Sequence, residues 1–280
     1  MVMKSSKSGT RIVQHVLLVG YLGFLVFPLV WMLSTSLKPT PEIYSSRPSL
    51  LPRAPTMAHY GAAFAEKNIG QSIWNSLRVG SIATMAVIAL ALPAAYALAR
   101  YKTVLNKVAI GWILTSQIFP AILIMVPLYL VLRQMQLTDN LFGLSLVYIV
   151  WSLPFVLWML EGYVRGIPVE LEEAAAIDGA SRRQIIFRVL MPVLLPAIGA
   201  AALFTFISAW NEFFFALVLL KNQDLITLPV DLARFTGMEG QARTGPLAAA
   251  SFIATVPSLL LFGFLQKWFS AGLTAGALKN

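Results

Sequence analysis

The densest group of chemically capable side chains is a run of carboxylates and small residues: Glu170, Glu172, Glu173, then Ala174, Ala175 and Ala176, then Asp178 and Gly179. What these residues offer is recognition. Alanines let another backbone approach closely, and flanking carboxylates supply charge, as in a knob seated in a protein groove. The competing reading is an amphipathic connector lying on a membrane surface, which three adjacent alanines weaken because they bury little apolar area. A second candidate is Asn211-Glu212. Glu212 is the one acid well inside an apolar segment, whereas Arg78 lies close enough to a segment end to snorkel. A carboxylate in a membrane is costly and marks function by default. Two roles stay open for it: a structural or gate-lining hydrogen bond, and direct contact with a substrate. Other chemistries are excluded. The chain has no cysteine, so a thiol or Cys-metal site is absent, and His15 and His59 stand isolated, without a metal cluster. No G-x-x-x-x-G-K-[ST] occurs, so ATP is not expected on this chain, nor is any other cofactor.

The elements that must position these residues follow from composition. Of 280 residues, 58% are hydrophobic and only 12% charged, and mean hydropathy is +0.75. A soluble domain carries about 25% charge, so this chain cannot clothe a water-facing surface. Residues 12–37, 108–132, 141–160 and 247–266 hold no charge at all. The apolar segments predict an all-α, polytopic membrane protein, a single transmembrane domain over 1–280 with six spans at about 12–37, 72–99, 108–132, 141–162, 191–220 and 247–268. Pro93, Pro120, Pro127, Pro154 and Pro257 fall inside spans, where kinks are expected. The first segment is too long for a signal peptide and is a retained span. Net charge +9 reads as basic loops flanking the membrane, with lipid and not nucleic acid as the contact. Lys4, Lys7 and Arg11, and then Arg100, Lys102 and Lys107, are unaccompanied by acids, which places both termini in the cytoplasm. The long loops 38–70 and 221–246 then lie outside. Five prolines between 39 and 55 predict an extended first half for the former.

Residues 163–190 are the longest polar stretch on the inner side. Pro168 is placed to start a helix, and Glu170, Glu172 and Glu173 favour its positive end. The alanines continue it, and Asp178-Gly179 stops it through a left-handed cap. Ser181 can cap a second helix, whose Ile185, Ile186 and Val189 lead into Pro192 and the fifth span. The spacing predicts a short helix, a glycine turn and a helix entering the membrane.

The segment Glu173-Ala174-Ala175, three residues, Gly179, nine residues, Val189-Leu190-Met191-Pro192 resembles the EAA loop of ABC-importer permeases, E-A-A, three residues, G, nine residues, I-x-L-P. Val189 and Met191 are apolar replacements that preserve packing. Six spans, the Trp210-Asn211-Glu212 cluster and the tail Gly272-Leu273-Thr274-Ala275-Gly276 look like the maltose-type branch of carbohydrate importers. The chain departs from that family at its last residues, ending Lys279-Asn280 where Lys-Gly is usual. The resemblance implies a non-catalytic permease subunit in a bacterial inner membrane. It implies a sister permease, two cytoplasmic ATPase subunits holding ATP and Mg, and an extracytoplasmic sugar-binding protein. Glu172, Glu173, Ala174, Ala175, Asp178, Gly179 and Pro192 would couple to the ATPase; Gly272, Leu273, Thr274 and Gly276 would enter the ATPase interface. Asn211 and Glu212 would line a pathway or gate. Two other classes are weighed against it: a secondary transporter or channel, which needs intramembrane charge relays or a selectivity ring, and a non-transporting scaffold.

Overall fold

In a bilayer each backbone N–H and C=O must find its partner within the protein, so apolar segments become helices. The computed structural model describes residues 7–101, 104–236 and 243–277, with side chains given for all of these except 7–10, 66, 67, 104, 105, 107, 114 and 267–277. Every element in them is helical. The order is α1 (Lys7–Leu37), α2 (Thr40–Ile43), α3 (Ala58–Lys67), α4 (Ile69–Arg100), α5 (Val104–Ser116), α6 (Ala121–Gln134), α7 (Leu141–Arg165) and α8 (Glu170–Ile177). There follow α9 (Arg182–Trp210), α10 (Phe214–Leu219), α11 (Leu228–Ala233) and α12 (Thr244–Ala277), with a 3-10 turn at Gln223–Leu225 between α10 and α11.

Among the described residues, five helices are long and apolar enough to cross a membrane: α1, α4, α7, α9 and α12. The segment expected as one span at 108–132 is divided. It forms α5 and α6, of 13 and 14 residues, each about 20 Å long at 1.5 Å per residue. Pro120 makes the break, because proline lacks the N–H for the next helical bond and forces the preceding residue out of the helical region. Pro93, Pro127, Pro154 and Pro257 remain inside their helices. The segment expected at 191–220 also differs: its helix starts earlier, at Arg182, and stops at Trp210, with Asn211–Phe213 interrupting before α10.

The chain divides into two compact units. The first comprises residues 1–69 and 232–255. Here α1 leaves large apolar side chains exposed from Ile12 to Trp31, a surface suited to lipid. Its Leu37 end is pinned by polar contacts. Tyr60 and Ser36 meet at 2.8 Å, His59 Nε2 lies 2.8 Å from the Lys38 carbonyl, and the Lys38 ammonium sits over the Trp31 ring at 4.7 Å. The stretch after Leu37 is not wholly extended as expected. Pro41 stands in the first turn of α2, where its fixed φ suits a helix start.

The second unit comprises residues 70–231 and 256–280. Its organising feature is a row on α4 at four-residue spacing, Asn75, Val79, Ala83, Val87, Ala91 and Ala95, each at most 1% exposed. Mostly small side chains let the neighbouring helices approach closely. Val87, Ala91 and Ala95 pack with Val156 and Leu160 of α7 and with Ala197 and Ala201 of α9.

Candidate coupling site

The predicted hairpin forms over residues 168–190. Pro168 and Val169 lead into α8, and the first-turn carboxylates Glu170, Glu172 and Glu173 complement its unpaired N–H groups. The helix ends in a Schellman turn. Gly179 N–H donates to the Ala176 carbonyl at 3.0 Å, Ala180 N–H to the Ala175 carbonyl at 3.0 Å, and Gly179 takes φ +81°. Asp178 is the exposed C-cap residue. Ser181 then starts α9, its backbone N–H donating to Gln184 Oε1 at 2.7 Å.

Within α9, Ile185–Leu190 is wound as a π-helix, and Met191 N–H bonds back to the Ile186 carbonyl. Pro192 follows directly, within the first turn of the α-helical stretch Met191–Trp210. A widened turn ahead of a proline relieves the clash between its ring and the preceding turn.

The two faces of α8 differ. Glu172 and Ala175 turn inward. Glu172 Oε1 accepts from Arg100 Nε at 2.6 Å and Oε2 from the Tyr96 hydroxyl at 2.8 Å, with both charged side chains mostly covered. Arg100 also donates to the Ile167 carbonyl at 3.0 Å. Ala175 packs against Val164, Ile167, Ile185, Leu190 and Leu194. Glu173, Ala174 and Ile177 face outward, and Ile177 is 87% exposed. So the docking group expected as one set is split: Glu172 and Ala175 hold the hairpin, and Glu173 and Ala174 are presented.

At the far end of α9, Asn211 is exposed and its amide donates to the Ile207 carbonyl at 2.9 Å. Glu212 is half-buried and fully engaged. It accepts from the Tyr148 hydroxyl at 2.7 Å, the Phe215 N–H at 2.8 Å and the Ala216 N–H at 3.1 Å. Gly272, Leu273, Thr274 and Gly276 lie on the backbone of α12, and their side chains fall outside the described residues.

The sequence reading missed Arg100, Tyr96 and Tyr148. Arg100 carried a signal, being the first charge after an apolar segment, on the side assigned to the acidic helix. The tyrosines carried none, because their partners lie 76 and 64 residues away.

Long apolar helices carrying a braced polar hairpin define a multi-pass membrane protein. The family described as "Binding-protein-dependent transport system inner membrane component" matches residues 87–275, and the chain belongs to it. Its relatives include the trehalose transport system permease protein SugB of Mycobacterium tuberculosis, 35% identical over 92% of this chain and 94% of that protein. The diacetylchitobiose uptake system permease protein DasC of Streptomyces coelicolor is 35% identical over 99% of this chain and 100% of that protein. Among solved structures, a chain of a bacterial ABC transporter involved in the import of the acidic polysaccharide alginate superposes with a TM-score of 0.80. That chain is 26% identical, and the match covers 96% of this chain and 99% of the other.

Proposed function

We propose that this protein is a permease subunit of an ATP-driven importer for a sugar or oligosaccharide. It forms half of a pathway with a sister permease, receives substrate from an extracytoplasmic binding protein, and is driven by two cytoplasmic ATPase subunits that carry the ATP and Mg. Six crossings, with α5 and α6 together making the third, put both termini and the 163–190 hairpin in the cytoplasm. The relatives that transport trehalose and diacetylchitobiose support the carbohydrate class.

One observation carries the coupling role: α8 is braced from behind at Glu172 and Ala175 while Glu173, Ala174 and Ile177 stand open. A bare isoleucine among carboxylates on a helix held rigid is a surface suited to a groove in a partner. Closure of the ATPase subunits then moves the hairpin as a body, and the Gly179 turn sets the angle at which α9 follows.

The test is uptake of labelled disaccharides into proteoliposomes containing this chain, its sister permease, the ATPase subunits and the binding protein. Accumulation that needs ATP on the hairpin side and the binding protein on the other is expected. Uptake by this chain without ATP or an ATPase would establish the secondary-transporter alternative. The same assay across several sugar-loaded binding proteins identifies the substrate.

A further inference from the structure

We infer that α4 is a mechanical link between the 168–190 hairpin and the 222–231 loop, with Arg100 and Asn75 as positioning residues at its two ends. The inference rests on the hairpin being the ATPase-docking element. At one end of α4, Arg100 holds Glu172 at 2.6 Å and the Ile167 carbonyl at 3.0 Å, gripping the chain on both sides of Pro168. The paired side chains are 10% and 13% exposed, so water competes weakly and the contact is directional. Tyr96, one turn earlier, adds its bond to the other oxygen of Glu172.

The other end of α4 grips a different loop. The buried Asn75 amide donates to the carbonyls of Asp224 at 2.8 Å and Ile226 at 3.0 Å. Ser76 Oγ accepts from the Leu228 N–H at 2.8 Å, and Ser72 Oγ donates to Asp231 at 2.6 Å. Between the two grips α4 is one unbroken helix, about 37 Å from Asn75 to Arg100 at 1.5 Å rise, enough to cross a core of about 30 Å.

The alternative route is interrupted. From the hairpin, α9 runs to Trp210 and stops, and Asn211–Phe213 is non-helical before α10 begins. Motion carried by α9 must pass this break to reach residues 222–231, whereas α4 has no such gap. The hairpin therefore has two outlets: Gly179 directs α9, and Arg100 directs α4, which delivers the displacement to the far loop as movement of the whole helix.

The absence of cysteine makes Gln223→Cys a single labelling position in that loop. The experiment uses the full complex in proteoliposomes, with partner subunits freed of reactive cysteines, and measures the maleimide labelling rate before and after trapping with ATP and vanadate. In the otherwise unaltered chain, trapping should change the rate about fivefold or more. Arg100→Ala and Asn75→Ala should each abolish the change while the ATPase subunits still co-purify. The exchanged pair Arg100→Glu with Glu172→Arg should restore it. A response that persists in either single variant, or that is absent from the unaltered chain, overturns the link. If Arg100→Ala fails to assemble, Asn75→Ala and the exchanged pair decide the question. Failure of the docking reading is separate: it shows as Ala174→Trp complexes with undiminished ATPase association and stimulated hydrolysis.

Discussion

The Tyr148 hydroxyl donates to Glu212 at 2.7 Å and ties α7 to the point where α9 stops. The carboxylate also accepts from the first free N–H groups of α10, so it acts as that helix's cap and holds the break in shape. Glu212→Ala should cost about 1–3 kcal/mol by leaving those groups without a partner, and Tyr148→Phe about 1 kcal/mol. Thermal unfolding of the purified complex should show both losses, with the double variant less than additive because the residues share one bond. A shift in sugar preference with unchanged melting would instead assign Glu212 to the substrate path.

Gly179 separates backbone demands from steric ones. Its φ is +81°, yet an added Cβ would meet nothing within 4 Å. The cost of a side chain there is conformational, about 1–2 kcal/mol for an ordinary L-residue. Asparagine tolerates this region, whereas a β-branched residue does not. Gly179→Asn should retain most uptake, and Gly179→Val should lose uptake and stimulated ATP hydrolysis together. Equal activity in both variants would show that the turn does not set the angle between α8 and α9.

Ala174 and Ala175 are neighbours in sequence and opposites in surroundings. Ala175 packs on the hairpin's apolar cluster, so Ala175→Leu should overpack it and cost the isolated permease about 1–3 kcal/mol. Ala174 is exposed, so Ala174→Trp should leave the permease's melting temperature unchanged while ATPase co-purification falls. A melting loss for Ala174→Trp would mean that this face is not the one presented.

This contrast marks what the sequence could convey. The hairpin was legible because its determinants are local: a proline before the helix, carboxylates in the first turn, a glycine at the stop and a serine after it. The apolar segments were legible because length and lack of charge suffice to identify them. Pairings over long separations were not. Glu172 looks like Glu173 in sequence, and it is Arg100 and Tyr96, 72 and 76 positions away, that hold it inward. Pro120 looks like the four prolines that helices absorb, yet the chain leaves the helix at 117–120 just ahead of it, and nothing in the local residue types separates the two cases. The row from Asn75 to Ala95 follows a four-residue spacing that could have been read, but its grip on the loop at 224–231 could not.

Glu42 in the 38–57 loop gives a pH prediction. Its carboxylate accepts from the Ser49 hydroxyl at 2.8 Å and, through both oxygens, from the Arg53 N–H at 3.1 Å. The Ser49 bond is the main influence holding the carboxyl below its ordinary value of 4.5. The Arg53 N–H and the nearby charges of Lys38 and Arg53 act in the same direction, and partial desolvation opposes them. A depressed folded pKa means that the ionised form is favoured by folding. The stabilisation is therefore complete above pH 4.5 and is lost as pH falls through the lower folded value. Lys38 also donates to the Ser49 carbonyl, a bond that acid leaves intact, so the loop should loosen at Arg53 before it detaches at Ser49. Hydrogen exchange at the Arg53 amide, corrected for the intrinsic rate at each pH, should show protection that is retained at pH 4.5 and falls as pH passes through the lower folded value. In Glu42→Gln protection should be low throughout and show no step. Protection of Arg53 as high in Glu42→Gln as in the unaltered protein would show that Glu42 does not hold this loop.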